Sequence, residues 1–204
     1  MTRSVRWAGE NGLLIEAAAG ENVQALAAWL RAGPYDLTEV VPGVRTVLAV
    51  GDRPVLRELA ASVDLAPLSR TVETTGRTVV VDVVYDGADL GDVCARTGLT
   101  SDELVRRHSA TEYTVDYFGF SPGLAFFAGV PRELRVPRRA SPRTVVPAGS
   151  VAIANEYSIV YPGGTPGGWS VLGRAVSAPL WNSKSMPPNL VNVGDTIRFR
   201  AVNP

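Results

Sequence analysis

Apolar and polar positions divide the chain into stretches of different period. Val5–Trp7 and Leu13–Ala17 read as short strands on either side of the turn residues Glu10–Asn11–Gly12. Between Glu21 and Leu30 the apolar residues Val23, Leu26, Ala27 and Leu30 recur at helical spacing, and Gly33–Pro34 ends the run. Val40–Val41 and Val44–Val50 read as two further strands joined at Pro42–Gly43. Pro54–Leu65 reads as a second helix, with Pro54 in its first turn and Leu56, Leu59, Ala60 and Val63 on one face. The order β-β-α-β-β-α predicts a small α+β domain over residues 1–69.

Beyond it the pattern changes. Pro67 to Gly76 is polar and turn-rich, and a linker is expected at 70–76. Thr78–Val84 is a β-branched strand. Two short helices follow, Asp89–Arg96 and Asp102–His108. Thr100 and Glu103 form a capping-box pattern at the start of the second. From Tyr113 onward, short apolar runs are separated by Pro and Gly every 8–12 residues, and ten of the fifteen prolines fall between Pro122 and Pro188. That spacing predicts an all-β barrel or sandwich from Tyr113 onward, with Thr196–Phe199 as its last strand, within a mainly-β domain over residues 77–204.

Composition narrows the function. Twenty basic and twenty acidic residues give no net charge, which argues against a dedicated nucleic-acid binder. Cys94 is the sole cysteine, so no intrachain disulfide forms, and a reducing, cytoplasmic setting is expected. The weakly polar run Tyr117–Val130 is interrupted by Pro122 and several glycines and is too short to span a bilayer, so no membrane association is expected.

The chemistry is restricted by what is missing. There is no G-x-x-x-x-G-K-[ST] loop, no dinucleotide fingerprint and no G-x-S-x-G elbow. One His and one Cys do not make a tetrahedral nitrogen–sulfur zinc site, and no metal site is readable. Four loops stand out: Gly119–Gly123, Pro137–Arg143, Val146–Ser150 and Tyr161–Trp169. Their Pro and Gly content is compatible with plain barrel turns and with rigid loops that bring bare amides to a ligand. Arg132, Arg135, Arg138, Arg139 and Arg143 lie within twelve residues, opposed only by Glu133. Such a cluster holds an anion, lies solvated, or pairs with acidic helices. His108, at a helix end, is a candidate general acid or base, or a local hydrogen-bonding group. Trp169 is either a pocket wall or a buried barrel residue.

Together the loops carry a family resemblance. Gly9–Glu16, Arg107–Tyr113, Gly119–Gly123, Pro137–Arg139 with Pro142–Arg143, Val146–Ile153, Tyr161–Pro162 with Pro166–Trp169, and Gly173–Arg174 follow in order along nearly the whole chain. They resemble the B subunit of bacterial ATP-dependent 5-oxoprolinases, a family that includes sporulation-kinase inhibitors and chains labelled allophanate hydrolase subunit 1. The resemblance implies a cyclophilin-like β-barrel on an α+β N-terminal domain, and partners in the C and A subunits of the same enzyme. It implies ATP-driven opening of a cyclic amide, 5-oxoproline, to glutamate. ATP then enters as co-substrate, with its site on a partner or at an interface with one. Similar sequences belong to the carboxyltransferase region of urea amidolyases. The residues implied for the site are His108 to move a proton and Arg143, with Arg138 and Arg139, to hold an anion. Amides near Gly149–Ser150 and Gly167–Gly168 would line the pocket with Trp169, Phe120 and Pro122.

Two segments depart from the family pattern. Leu124–Phe127 replaces the usual F-P-Y-L, and Ala154–Ile159 replaces a Gly-rich run. Both are expected beside the pocket, and both bear on which amide is the substrate. A histidine-kinase-inhibiting interaction protein, or part of a urea- or allophanate-type carboxyltransferase or hydrolase, is the alternative. Prolyl isomerisation is suggested only by the implied fold, and no motif for it is present.

Overall fold

The computed structural model describes residues 3–65, 76–177 and 179–203. The chain divides into two compact units, 1–73 and 74–204. Of the linker expected at 70–76, only Gly76 lies within the described residues.

In the first unit β1 (Ser4–Trp7), β2 (Gly12–Glu16), β3 (Leu37–Pro42) and β4 (Thr46–Gly51) form an antiparallel sheet in the order β1-β2-β4-β3. Leu13 pairs with Ala49 and Ile15 with Val47, so one face of the two central strands is fully apolar. That face is buried with Leu26 and Leu30 of α1 (Val23–Ala32) and Leu56 and Leu59 of α2 (Arg53–Ser62). Helix α1 starts two residues later than the apolar period predicts. The Asn22 side chain caps it by accepting from the Gln24 and Ala25 amides at 2.8 and 3.2 Å, and an Asx cap favours the non-helical conformation just before a helix. Helix α2 gives way to a 3-10 turn at Val63–Leu65, inside the stretch read as one helix.

The second unit is built on a closed barrel. Its strands are β5 (Thr78–Val84), β6 (Glu112–Phe118), β7 (Ala125–Ala128), β9 (Ser150–Ala154), β10 (Tyr157–Val160), β12 (Ser170–Ala175) and β13 (Thr196–Ala201). They close in the order β10-β7-β6-β13-β5-β12-β9. β13 runs parallel to β5 and the other neighbours are antiparallel. The remaining strands, β8 (Arg143–Val146) and β11 (Thr165–Gly167), make a separate two-stranded ribbon. Two helices, α3 (Leu90–Thr97) and α4 (Ser101–Ala110), lie between β5 and β6. The capping box at α4 forms as expected: the Thr100 amide donates to Glu103 at 3.0 Å, and the Glu103 amide donates to the Thr100 hydroxyl at 3.3 Å.

Strand alternation then creates two apolar clusters from the same strands. Phe127, Val151, Ile153 and Val160 join one with Tyr113, Ile197 and Phe199. Their neighbours Phe126, Ala152, Ala154 and Ile159 join another with Val146 of the ribbon, Tyr161 and Trp169. This is why β9 is buried along its whole length. Phe127 has no exposed surface. Phe127→Ala is expected to cost about 3–5 kcal/mol, read as urea unfolding of the second unit. A loss below about 1 kcal/mol would show that the barrel cluster carries little of the stability.

Candidate functional site

Asp89 lies immediately before α3 and is only 2% exposed. A carboxylate so buried must be paired and hydrogen-bonded. Arg143 of β8 grips it with a two-point fork, Nη1 to Oδ2 at 2.7 Å and Nη2 to Oδ1 at 2.8 Å. Arg139 donates to Oδ1 from Nη1, and the Val171 amide donates to Oδ2 at 2.8 Å. Burial pushes the carboxyl up, but the hydrogen bonds and the two guanidinium charges outweigh it and hold Asp89 below its ordinary range. The same contact raises Arg143.

These pairings correct the expected anion-holding role of Arg139 and Arg143. An internal carboxylate already occupies both, which is the acidic-helix alternative for the arginine loop. Arg135 is committed as well, its Nε donating to the Val130 carbonyl at 2.9 Å. Arg138 is different. Its guanidinium lies over the Trp169 ring, 5.7 Å from the centroid, and among the described residues it forms no ion pair.

Arg138 stands at a narrow slot of about 90 Å³. Phe120, Gly167, Gly168 and Trp169 also line it, so the structure brings together five of the residues expected at the site. Leu124, Phe126, Ile159, Tyr161 and Pro166 complete the walls. Trp169 is nearly buried and meets Phe126 edge-on, with centroids 5.6 Å apart. Phe126 stacks in turn on Tyr117 at 4.4 Å. Phe120 is 72% exposed at the rim, with a left-handed φ of 69°. A non-glycine residue held there costs energy that its surroundings must supply.

Tyr161 is shared with a second cavity of about 210 Å³, lined mainly by Gly123, Ala148, Gly149, Leu180 and Trp181. Gly123 has φ +77°, and a Cβ there would fall 2.1 Å from Trp181 Cγ, so only glycine lets this loop close on the indole. Pro122 is exposed and lines neither cavity. The expectation of bare amides at Gly149–Ser150 is corrected: Gly149 N donates to the Tyr161 carbonyl at 2.8 Å and Ser150 N to the Pro147 carbonyl at 3.2 Å. Both donors are thus satisfied within the fold. Of the two departing segments, Leu124 and Phe126 do line the slot, whereas Ile159 is the sole contribution of the second. Glu156 sits exposed in the β9–β10 turn.

His108 is the other correction. It has no exposed surface. Its Nδ1 is 2.7 Å from the Tyr85 hydroxyl, its Nε2 3.2 Å from Ser158 Oγ, and its ring stacks on Phe199 at 4.7 Å. Burial lowers its pKa to about 3. A neutral imidazole sealed among aromatic rings does not exchange protons with a ligand, so it is a local hydrogen-bonding group inside the barrel. Among the described residues no three His, Cys, Asp or Glu groups are placed to hold a metal, and no helix is long and apolar enough to cross a membrane.

The sequence does not single out Asp89, and it offers Tyr161 only as the first residue of the loop Tyr161–Trp169. Asp89 appears there only as a helix start, and its partners Arg139 and Arg143 are 50 and 54 residues away. The one available signal was the surplus of arginine in the loop, which needs an acid somewhere.

The chain belongs to the family described as carboxyltransferase domain, subdomain C and D, whose model matches residues 3–191. It is 37% identical over 170 residues to the 5-oxoprolinase B subunit of Escherichia coli O157:H7, covering 80% of this chain and 78% of that protein. It superposes on the crystal structure of TTHA0988 with a TM-score of 0.77 at 32% identity, covering 98% of this chain. The matched part is 41% of that longer chain, so this chain spans less than half of it. The urea carboxylase of Kluyveromyces lactis gives a TM-score of 0.74 at 16% identity, covering 98% of this chain and 22% of that one, which is a likeness of fold.

The buried histidine generates a pH prediction. Its folded pKa lies below the unfolded value of about 6.5. Between these values the unfolded chain binds a proton that the folded chain does not. Stability contributed by neutral His108 is therefore present above about pH 6.5 and falls by about 1.4 kcal/mol per pH unit on acidification towards 3. Urea unfolding of His108→Gln at pH 7 and pH 5 is expected to show a smaller pH difference than the wild type. An identical pH difference in both proteins would contradict the assignment.

Proposed function

We propose that this chain is the B subunit of an ATP-dependent 5-oxoprolinase, with its barrel of the cyclophilin-like class. It acts with the C and A subunits to convert 5-oxoproline, ATP and water to glutamate, ADP and phosphate. ATP binds on a partner or at an interface with one, and the enzyme works in the cytoplasm. The observation that carries the reading is the Arg138 guanidinium, without a carboxylate partner among the described residues, beside an aromatic-walled slot. A cation with no counter-ion among the described residues suits a small carboxylate, and a guanidinium binds carboxylate bidentately. The Trp169 and Phe126 rings suit the flat face of a five-membered lactam. The naming of the Escherichia coli relative supports the same substrate.

Arg138 holds the substrate carboxylate and leaves the amide directed into the slot. The Asp89 cluster keeps the loop bearing Arg138 in place. A lactam carbonyl is a poor electrophile, so ATP activates it. This chain supplies binding and orientation, which lower the entropic part of the barrier.

The chain co-purified with the C and A subunits is expected to hydrolyse ATP faster when 5-oxoproline is added, with glutamate formed. No glutamate from an intact complex would overturn the reading. In the same assay Arg138→Ala is expected to raise KM for 5-oxoproline about ten-fold or more, the loss of one charge-assisted contact. An unchanged KM would remove Arg138 from the site.

A further inference from the structure

We propose that the Tyr161 hydroxyl donates a hydrogen bond to the carbonyl oxygen of the ligand bound at Arg138, so that Tyr161 selects a cyclic amide over a plain cyclic carboxylate. This rests on the slot being the substrate site.

Tyr161 follows β10 directly and is 2% exposed, yet it forms part of the slot wall. The backbone N–H of Trp169 lies near enough to its oxygen to favour the ionised form. Among the described residues no carbonyl or carboxylate accepts its proton. A nearly buried hydroxyl that donates to no group among the described residues is free to donate to a ligand oxygen.

The surroundings fix that donor in space. Gly167 also lines the slot, and a Cβ on it would fall 2.1 Å from the Tyr161 hydroxyl oxygen. The missing side chain at 167 is therefore room for the hydroxyl. The ring itself belongs to the apolar cluster with Phe126, Ile159 and Trp169, which leaves it little rotational freedom. Burial raises Tyr161 above its ordinary range, against the opposing pull of Arg138 and Arg143, so the phenol keeps its proton at neutral pH.

Arg138 and Tyr161 thus offer a cation and a neutral donor on one small slot with otherwise apolar walls. The matching ligand carries a carboxylate and a carbonyl on a compact ring. A ring of the same shape without the carbonyl leaves the buried hydroxyl unpaired, which a polar site rejects strongly.

Calorimetric titration of the assembled complex tests this, using 5-oxoproline and cyclopentanecarboxylate, which has the ring and carboxylate but no amide. The wild type is expected to prefer 5-oxoproline by about ten-fold or more. Tyr161→Phe is expected to bring the two affinities within about two-fold while keeping that for cyclopentanecarboxylate. The retained affinity shows that the slot is intact. A preference that survives in Tyr161→Phe, or that is absent from the wild type, overturns the proposal. Equal loss of both ligands also overturns it, because the hydroxyl then serves only to hold the slot together. ATP-dependent glutamate formation by the wild type reports separately on the 5-oxoprolinase reading.

Discussion

One buried carboxylate organises the second unit. Asp89 sits at the head of α3, and its oxygens receive Arg143 from the ribbon, Arg139 from the loop before it and the Val171 amide from β12. Three separate pieces of chain meet on a single acid. Removing one partner leaves the buried charge under-compensated, and that asymmetry makes such clusters rigid. The loop 137–143 is pinned at Arg139 and Arg143, and between those anchors and the barrel the neighbouring Arg138 is left to Trp169. The electrostatics of the slot therefore follow from a structural ion cluster that is not itself part of the slot.

The slot also needs a surface to stand on, and strand alternation supplies it. Because β7, β9 and β10 present apolar residues on both faces, the barrel wall has a second cluster of its own. The β8–β11 ribbon contributes Val146 to that cluster and Pro166 and Gly167 to the slot, and the same ribbon delivers the Arg143 fork to Asp89. Packing and charge are satisfied by the same short element.

Local signals made much of this legible. The β-branched run Thr78–Val84 is a strand over those same residues, and the Thr100–Glu103 box caps α4. The order of elements in the first unit follows from periodicity alone. What local pattern does not encode is which strands meet: nothing in Thr196–Ala201 says that it runs parallel to β5, and nothing in Arg143 says that its partner is 54 residues earlier. His108 shows the same limit. A histidine at a helix end among arginines looks exposed, and only the closing of the barrel puts Phe199, Tyr85 and Ser158 around it. The Gly-rich loop Tyr161–Trp169 was visible as unusual, but the reason for Gly167 lies in the hydroxyl of Tyr161, which packs against it in three dimensions.

The division of labour among the arginines is open to one direct comparison, urea unfolding of Arg143→Ala beside Arg138→Ala. Arg143→Ala strips the fork from a carboxylate that is 2% exposed. It is expected to lose about 2–3 kcal/mol, less than for a wholly buried pair because the arginine is partly solvated. Arg138→Ala removes a group that pairs with no acid among the described residues, and is expected to stay within about 0.5 kcal/mol of the wild type. Equal losses, or a larger loss for Arg138→Ala, would contradict the assignment of Arg143 to the fold and Arg138 to the ligand.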